Sequence, residues 1–71
     1  MDVAKLRRMA DQIAANFTAL GQEEAISSTA EHIALFWDPR MKAAILADDL
    51  SALSPVARAA IERLRAEVKA A

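Results

Sequence analysis

Apolar residues recur every three or four positions along the first twenty residues of the chain, as they do on one face of an α-helix. That face holds Val3, Leu6, Met9, Ala10, Ile13, Phe17 and Leu20. Polar residues such as Lys5, Arg8 and Gln12 fall on the other side. The pattern predicts an amphipathic helix over roughly residues 2–20. Gly21 is predicted to end it in a left-handed conformation.

A second helix is predicted over residues 22–37, because Glu23 and Glu24 suit the positive end of the helix dipole in its first turn. The residue before a proline is pushed out of the α region, so Asp38-Pro39 should end this helix. The same pair should open a third helix over 39–48, with Asp38 as N-cap and Pro39 as first helical residue. The predicted buried face of the second helix is Ile26, Ala30, Ile33 and Trp37, with Phe36 beside it.

The rest of the chain is predicted to form a connector and a fourth helix. The third helix fades at Asp48-Asp49, Leu50 to Leu53 have weak preferences, and Ser54-Pro55 repeats the cap-then-proline pattern. The fourth helix is predicted over 55–69, burying Val56, Ala60, Ile61, Leu64 and Val68. We therefore expect an all-α fold, a small three- to four-helix assembly with short turns that forms a single helical domain over residues 1–71.

The size of the chain changes this picture. At 71 residues it lies where one hydrophobic core barely offsets the loss of chain entropy. Much of its 55% apolar content is alanine, which buries little area per residue. With no cysteine there is no disulfide to add stability. Small chains of this kind usually recruit a partner or self-associate.

Charge and hydropathy exclude several classes of partner. Nine basic and ten acidic residues give a net charge of −1, so no basic footprint for nucleic acid or an anionic membrane is present. No apolar run approaches the roughly 20 residues of a membrane span. The first residues lack the apolar core of a signal peptide. We expect a cytoplasmic protein that binds neither nucleic acid nor membrane.

The sequence offers little catalytic or metal-binding chemistry. Without cysteine there are no thiolate zinc sites, thiol nucleophiles or Cys-ligated clusters. His32 is the single histidine, and the positions four residues away, Ser28 and Phe36, are not metal ligands. We therefore expect no catalytic, metal or cofactor site in this chain, and a structural or partner-contacting role for His32.

The segment Phe36-Trp37-Asp38-Pro39-Arg40-Met41 concentrates the single Trp, one of two Phe, a Met and an Arg around a rigid corner. Neighbouring helical positions lie about 100° apart, so both rings cannot face one small core. One interpretation is a docking surface, because Trp, Met and Arg are enriched at interfaces. The alternative is that Trp37 fills the core while Phe36 covers the corner and Arg40 pairs with Asp38.

Three blocks of this sequence resemble the delta subunit of soluble NAD-dependent formate dehydrogenases. They run from Lys5 to Ala14 followed by Phe17, from Ala30 through His32-Ile33 to Phe36-Trp37-Asp38-Pro39-Arg40-Met41, and from Leu53 to Ala57. The resemblance covers nearly the whole chain. It departs from the family at Val56-Ala57, where Leu-Val is common, and at Ser28 or Thr29, where a glycine precedes the His-bearing helix.

The resemblance implies an accessory role. In such complexes the alpha subunit holds a molybdenum or tungsten bis-pterin cofactor and iron–sulfur clusters and oxidises formate, while beta and gamma subunits pass electrons through FMN to NAD⁺. The delta subunit is expected to bind alpha and to support assembly, stability and cofactor-loaded activity. The expected partner-binding residues are Arg8, His32, Phe36, Trp37, Asp38, Pro39, Arg40 and Met41. The alternative is a free-standing assembly chaperone or regulator absent from the mature enzyme.

Overall fold

The structure is a computed structural model that describes residues 2–70. Four α-helices follow one another: α1 over Val3–Phe17, α2 over Gln22–Phe36, α3 over Pro39–Leu46 and α4 over Pro55–Ala70. A 3-10 turn, Thr18–Leu20, joins α1 to α2. Residues 2–70 contain no strand. The predicted all-α fold is therefore confirmed.

Two aspartates cap the starts of helices. The Asp2 carboxylate accepts a hydrogen bond from the Ala4 amide at 3.0 Å, and the Asp38 carboxylate accepts one from the Met41 amide at 2.9 Å. Each satisfies an N–H group that the first helical turn leaves without a partner. Pro39 occupies the first turn of α3, where its missing N–H costs nothing. The predicted cap at Asp38-Pro39 is confirmed.

The junction between α1 and α2 differs from the prediction. The α-helix ends at Phe17 and tightens into the 3-10 turn, whose Thr18 hydroxyl donates back to the Ala15 carbonyl. Gly21 does have a positive φ, but its angles of 94° and 157° belong to an extended conformation, not to the left-handed helical one. Only glycine adopts that region readily. Gly21 therefore redirects the chain into α2, whose Ala25 amide donates to the Gly21 carbonyl at 2.8 Å.

The hydrophobic core lies between α1, α2 and α4, with α3 packed against α1 and α4. Small side chains on the facing helices let their backbones approach closely. The fully buried Thr29 is one of them, and its hydroxyl finds no hydrogen-bond partner among residues 2–70. The buried apolar residues are Leu6, Ala10, Ala14, Ala25, Ala30, Ile33, Trp37, Ile45, Leu50, Leu53, Ala57, Ala60, Ile61 and Leu64.

The apolar faces are shifted relative to the predicted ones. Leu20 and Val68, which the sequence pattern places on buried faces, are 54% and 63% exposed. Leu20 lies in the 3-10 turn after α1, and Val68 lies in the last turn of α4. In α2, Ala25 and Thr29 are fully buried while Ile26 is only half-buried. Close helix packing therefore selects the small residues over the large one at this contact.

The connector between α3 and α4, residues 47–54, is held more firmly than its sequence suggests. Leu50 and Leu53 are buried, and Leu50 has a positive φ of 67°. Arg65 of α4 donates hydrogen bonds to the carbonyls of Leu46 and Asp48, at 2.8 Å and 2.9 Å from its Nη2. These bonds satisfy backbone carbonyls at and beyond the end of α3, where the helix offers no partner. The connector is thus part of the packed fold.

One long-range ion pair fixes the same connector to α1. The Arg7 guanidinium binds both carboxylate oxygens of Asp48, with Nε at 2.9 Å from Oδ2. Bidentate pairing of this kind is geometrically specific. The Arg7 side chain holds the pKa of the Asp48 carboxyl below its ordinary value, and Asp48 in turn raises the pKa of Arg7. Hydrogen bonds from the Ser51 backbone and hydroxyl lower the pKa of Asp49.

Candidate partner-binding surface

The corner between α2 and α3 separates its two aromatic rings. The backbone leaves the helix at Trp37, whose φ and ψ are −82° and 139°, while its amide still donates to the Ile33 carbonyl at 3.1 Å. The Trp37 side chain turns into the hydrophobic core and is only 5% exposed. Phe36, the last residue of α2, is 73% exposed. In the isolated chain, therefore, Trp37 fills the core, as the alternative interpretation predicts.

Phe36 belongs to an exposed cluster on the outer side of α2. Its ring centroid lies 4.8 Å from that of His32, one helical turn earlier, with an interplanar angle of 44°. Leu35, 69% exposed, lies next to it. We call His32, Leu35 and Phe36 the aromatic patch. Residues three and four apart share a helix face, so His32 lies between the other two side chains.

Leu35 is the member of the aromatic patch that the sequence analysis missed. A signal was available, because Leu35 is two positions, about 200°, from the buried Ile33 on the helix. An apolar residue on the far side of an amphipathic helix has no core to enter. Two large exposed apolar side chains side by side are more informative than single exposed ones.

The polar residues of the corner shape it locally. Asp38 is exposed, and its carboxylate accepts a hydrogen bond from the Met41 amide. Pro39 and Arg40 are exposed on the first turn of α3. No ion pair joins Arg40 to Asp38 in the part of the chain that the structure describes, so that component of the alternative interpretation is wrong. The carboxylate already serves as the helix cap, and Arg40 lies exposed on the first turn of α3.

Lys42 fixes the angle between the two helices of the corner. Its ammonium group on α3 donates a hydrogen bond to the Ala34 carbonyl of α2 at 3.1 Å. That carbonyl lies in the last turn of α2, where a cation is favoured by the helix dipole. The bond links α3 to the end of α2.

Met41 connects the corner to α1. It is half-buried and lines a groove of about 440 Å³ with Asp2, Lys5, Leu6 and Met9. Met9 is also half-buried, and Leu6 lies at the buried base. We call this the methionine groove. Arg8 is exposed on α1, one helical turn from Lys5, and is not in contact with the aromatic patch through any hydrogen bond or ion pair among residues 2–70.

The described residues assemble no metal site or membrane span. Among residues 2–70, no three His, Asp or Glu side chains converge on a point where a metal ion could bind. None of the helices in that range is both long enough and apolar enough to cross a bilayer. Two surface features include residues predicted to bind a partner, the aromatic patch and the methionine groove, and these offer apolar and cationic contacts to another molecule.

Comparison with known protein families gives a match over most of the chain. The family model described as NADH-dependent formate dehydrogenase delta subunit FdsD matches residues 5–61. The match includes α1 from Lys5 onward, α2, α3, the connector and the first part of α4. No curated protein and no solved structure matches the chain.

Proposed function

The chain belongs to the family of NADH-dependent formate dehydrogenase delta subunits, and on that premise we propose that it is a non-catalytic subunit that binds the catalytic alpha subunit. The predicted resemblance to this family is confirmed, since the match covers most of the chain. A delta subunit is one component of a larger enzyme complex. The proposal assigns it a partner within that complex and a surface of its own for the contact.

The observation that supports this surface is the 73% exposure of Phe36 at a corner that has its own helix cap and core contact. Trp37 anchors the corner in the core, the Asp38 cap starts α3, and the Lys42 bond holds α3 against α2. An aromatic side chain has only two rotatable bonds, so it loses little side-chain entropy on binding. Burying it would contribute about 1.5–3 kcal/mol, which is the range of an interface hot spot.

In this proposal the residues of the corner have different roles. Phe36 and His32 make the apolar contact, and Arg40 and Pro39 lie beside it. Trp37 and Asp38 act through the fold, because one is buried and the other is committed to its cap. Met41 and Arg8 contribute on the side of α1. The proposal thus divides the partner-binding residues expected from the sequence into residues that contact the partner and residues that support the fold of the corner.

The consequence for the enzyme is assembly. The proposed partner is the alpha subunit, with bis-pterin molybdenum or tungsten and iron–sulfur clusters, in a complex with beta and gamma subunits that pass electrons through FMN to NAD⁺. The delta chain is proposed to hold the alpha subunit in a stable, cofactor-loaded form. It contributes no group to formate oxidation, so removing it should reduce the amount of active enzyme and leave the chemistry of the remaining active fraction unchanged.

The test is co-purification with an affinity-tagged alpha subunit, comparing Phe36→Ser with Leu20→Ser. Both residues are large, apolar and exposed, but Leu20 lies in the 3-10 turn, away from the corner. We expect Phe36→Ser to lower the delta-to-alpha ratio at least about tenfold and Leu20→Ser to leave it within about twofold. Circular dichroism of each free chain checks that both remain helical.

Equal retention of the two variants would contradict the proposed surface. Wild-type chain that binds during expression but is missing from the purified, active enzyme would instead favour an assembly chaperone. Stoichiometric presence in the active enzyme supports the subunit proposal.

A further inference from the structure

The residues in and near the methionine groove indicate the chemistry of its partner more specifically than the aromatic patch does. It runs between the first turns of α1 and the start of α3, with a volume of about 440 Å³. Met9 and Met41 come from different helices, and both are half-buried against the core. Their thioether side chains are flexible and polarizable, so the groove can adjust to an apolar side chain of a partner.

The charges around the groove are unbalanced. Lys5 lies on its rim, Arg8 follows one turn later on α1, and Arg40 directly precedes Met41. All three are exposed, and none of them forms an ion pair within residues 2–70.

The two nearby carboxylates form no ion pair with these cations among residues 2–70, although both keep their negative charge. Asp2 and Asp38 each accept a hydrogen bond from a backbone amide at the start of a helix. A carboxylate held in this way keeps its geometry, and both remain exposed to solvent. The groove is therefore apolar at its base and lined by Lys5 and Asp2, and Arg8 and Arg40 precede its two methionines in the sequence. Three cations against two carboxylates leave an excess of one positive charge, which favours a carboxylate-bearing segment over a basic one.

A second apolar groove is a weaker candidate. It measures about 260 Å³ and lies between α2, α3 and α4, but its α4 wall consists of Leu64, Glu67 and Val68. Those three of its eight lining residues fall outside the span that the family model matches, whereas only Asp2 of the five residues that line the methionine groove does. A docking site shared by delta subunits should lie within the shared span, which favours the methionine groove.

We propose that the methionine groove binds a segment of the partner subunit that carries one large apolar side chain flanked by carboxylates. The apolar side chain enters between Met9 and Met41, and the carboxylates pair with Lys5, Arg8 and Arg40. This inference rests on the proposed function, since it describes a second contact of the same subunit interface. It also gives Arg8, which lies apart from the aromatic patch, a place in that interface.

The absence of cysteine from the chain allows a site-specific test. A Met41→Cys variant, assembled into the complex and labelled with a photo-activated cross-linker, is compared with Glu24→Cys in the exposed first turn of α2. We expect Met41→Cys to cross-link to one partner peptide that contains a large apolar residue next to Asp or Glu, identified by mass spectrometry. The control should not yield that peptide.

A second arm measures the role of charge. The variant Lys5→Gln/Arg8→Gln/Arg40→Gln is compared with Arg63→Gln/Lys69→Gln, which removes exposed cations of α4. We expect the triple variant to dissociate from the immobilised complex at least about tenfold faster and with a weaker dependence on salt. The α4 variant should stay within about twofold of wild type.

The outcomes separate this inference from the proposed function. If wild-type chain is absent from the complex, the proposed function fails. If wild-type chain is present but Met41→Cys cross-links to a basic or uncharged segment, or to nothing, the groove proposal is overturned while the proposed function stands. Unchanged dissociation of the triple variant would overturn it as well.

Discussion

The corner at residues 36–41 and the connector at residues 47–54 both link helices, but they use their side chains in opposite ways. The corner is fixed by local interactions, chiefly the Asp38 cap and the burial of Trp37, and leaves Phe36 and Arg40 exposed. The connector is fixed by long-range interactions with α1 and α4, and buries its large apolar residues, Leu50 and Leu53.

The difference shows which side chains each segment leaves for other molecules. The connector directs its two leucines inward, and its Asp48 is already paired with Arg7. The corner achieves an equally defined backbone with one ring buried, and its other ring is exposed. The Phe36 side chain is thus not needed to hold the corner together. For this reason we propose that it contacts a partner. The predictions below test this contrast, from the largest expected effect to the smallest.

The largest effect should come from Trp37→Ala. Removing a buried aromatic side chain typically costs about 3–5 kcal/mol, a large share of the free energy of unfolding of a small domain. Phe36→Ala, next to it and 73% exposed, should change that free energy by less than about 0.5 kcal/mol. Urea denaturation followed by circular dichroism measures both. Similar losses for the two variants would show that Phe36 is part of the fold.

In the connector, Arg65→Ala should destabilise the chain by about 1.5–3 kcal/mol. The substitution leaves the carbonyls of Leu46 and Asp48 without their charged donor. Arg63→Ala on the same helix is the control, since Arg63 is exposed and should be worth less than about 0.5 kcal/mol. Thermal denaturation compares them, and proteolysis within residues 47–54 should accelerate for Arg65→Ala only. Resistance of that segment to cleavage would contradict the role of Arg65.

At the corner, Asp38→Ala should cost about 1 kcal/mol, because α3 loses the side chain that accepts from its Met41 amide. Asp38→Asn should retain most of the stability, since asparagine caps helices about as well as aspartate. Chemical denaturation of both variants measures the difference. If Asp38→Asn were as destabilising as Asp38→Ala, the negative charge and not the cap would be the stabilising feature.

The smallest effect at neutral pH concerns protonation of Asp48. Its pKa in the folded chain is lowered, first by the hydrogen bond from Arg7, so the unfolded chain binds this proton more readily. The resulting stabilisation is fully present above the ordinary carboxyl pKa and is lost as the pH falls below about 4. Denaturation midpoints between pH 2.5 and 7 should decline less steeply for Asp48→Asn than for wild type. Parallel declines would contradict the assignment.

Much of the fold follows from the sequence because its determinants are local. Helix-favouring composition, three- and four-residue periodicity and the Asp38-Pro39 and Ser54-Pro55 pairs are each contained within a few neighbouring residues. The all-α fold and the capped start of α3 follow directly from them. The family resemblance, carried by short blocks in register, also needs no tertiary information.

The features that the sequence does not reveal depend on contacts between distant residues. Leu50 and Leu53 look like a weakly structured connector until Arg7 and Arg65 hold the backbone around them. Which of the two rings, Phe36 or Trp37, enters the core depends on how α2 is rotated against α1 and α4. It also depends on the backbone leaving the helix at Trp37. Helical periodicity alone limits the core to one of these two rings without selecting it.

The central claim is that Trp37 belongs to the core of the chain and that Phe36 contacts a partner. Hydroxyl-radical footprinting of the chain, free and within the purified complex, tests it most directly because it reports the solvent exposure of individual side chains. The account predicts that Phe36 is oxidised readily in the free chain and is protected in the complex. Trp37 should be protected in both, and Val68, similarly exposed but on α4, should be unchanged. Oxidation of Trp37 in the free chain with protection on assembly, or undiminished oxidation of Phe36 in the complex, would contradict it.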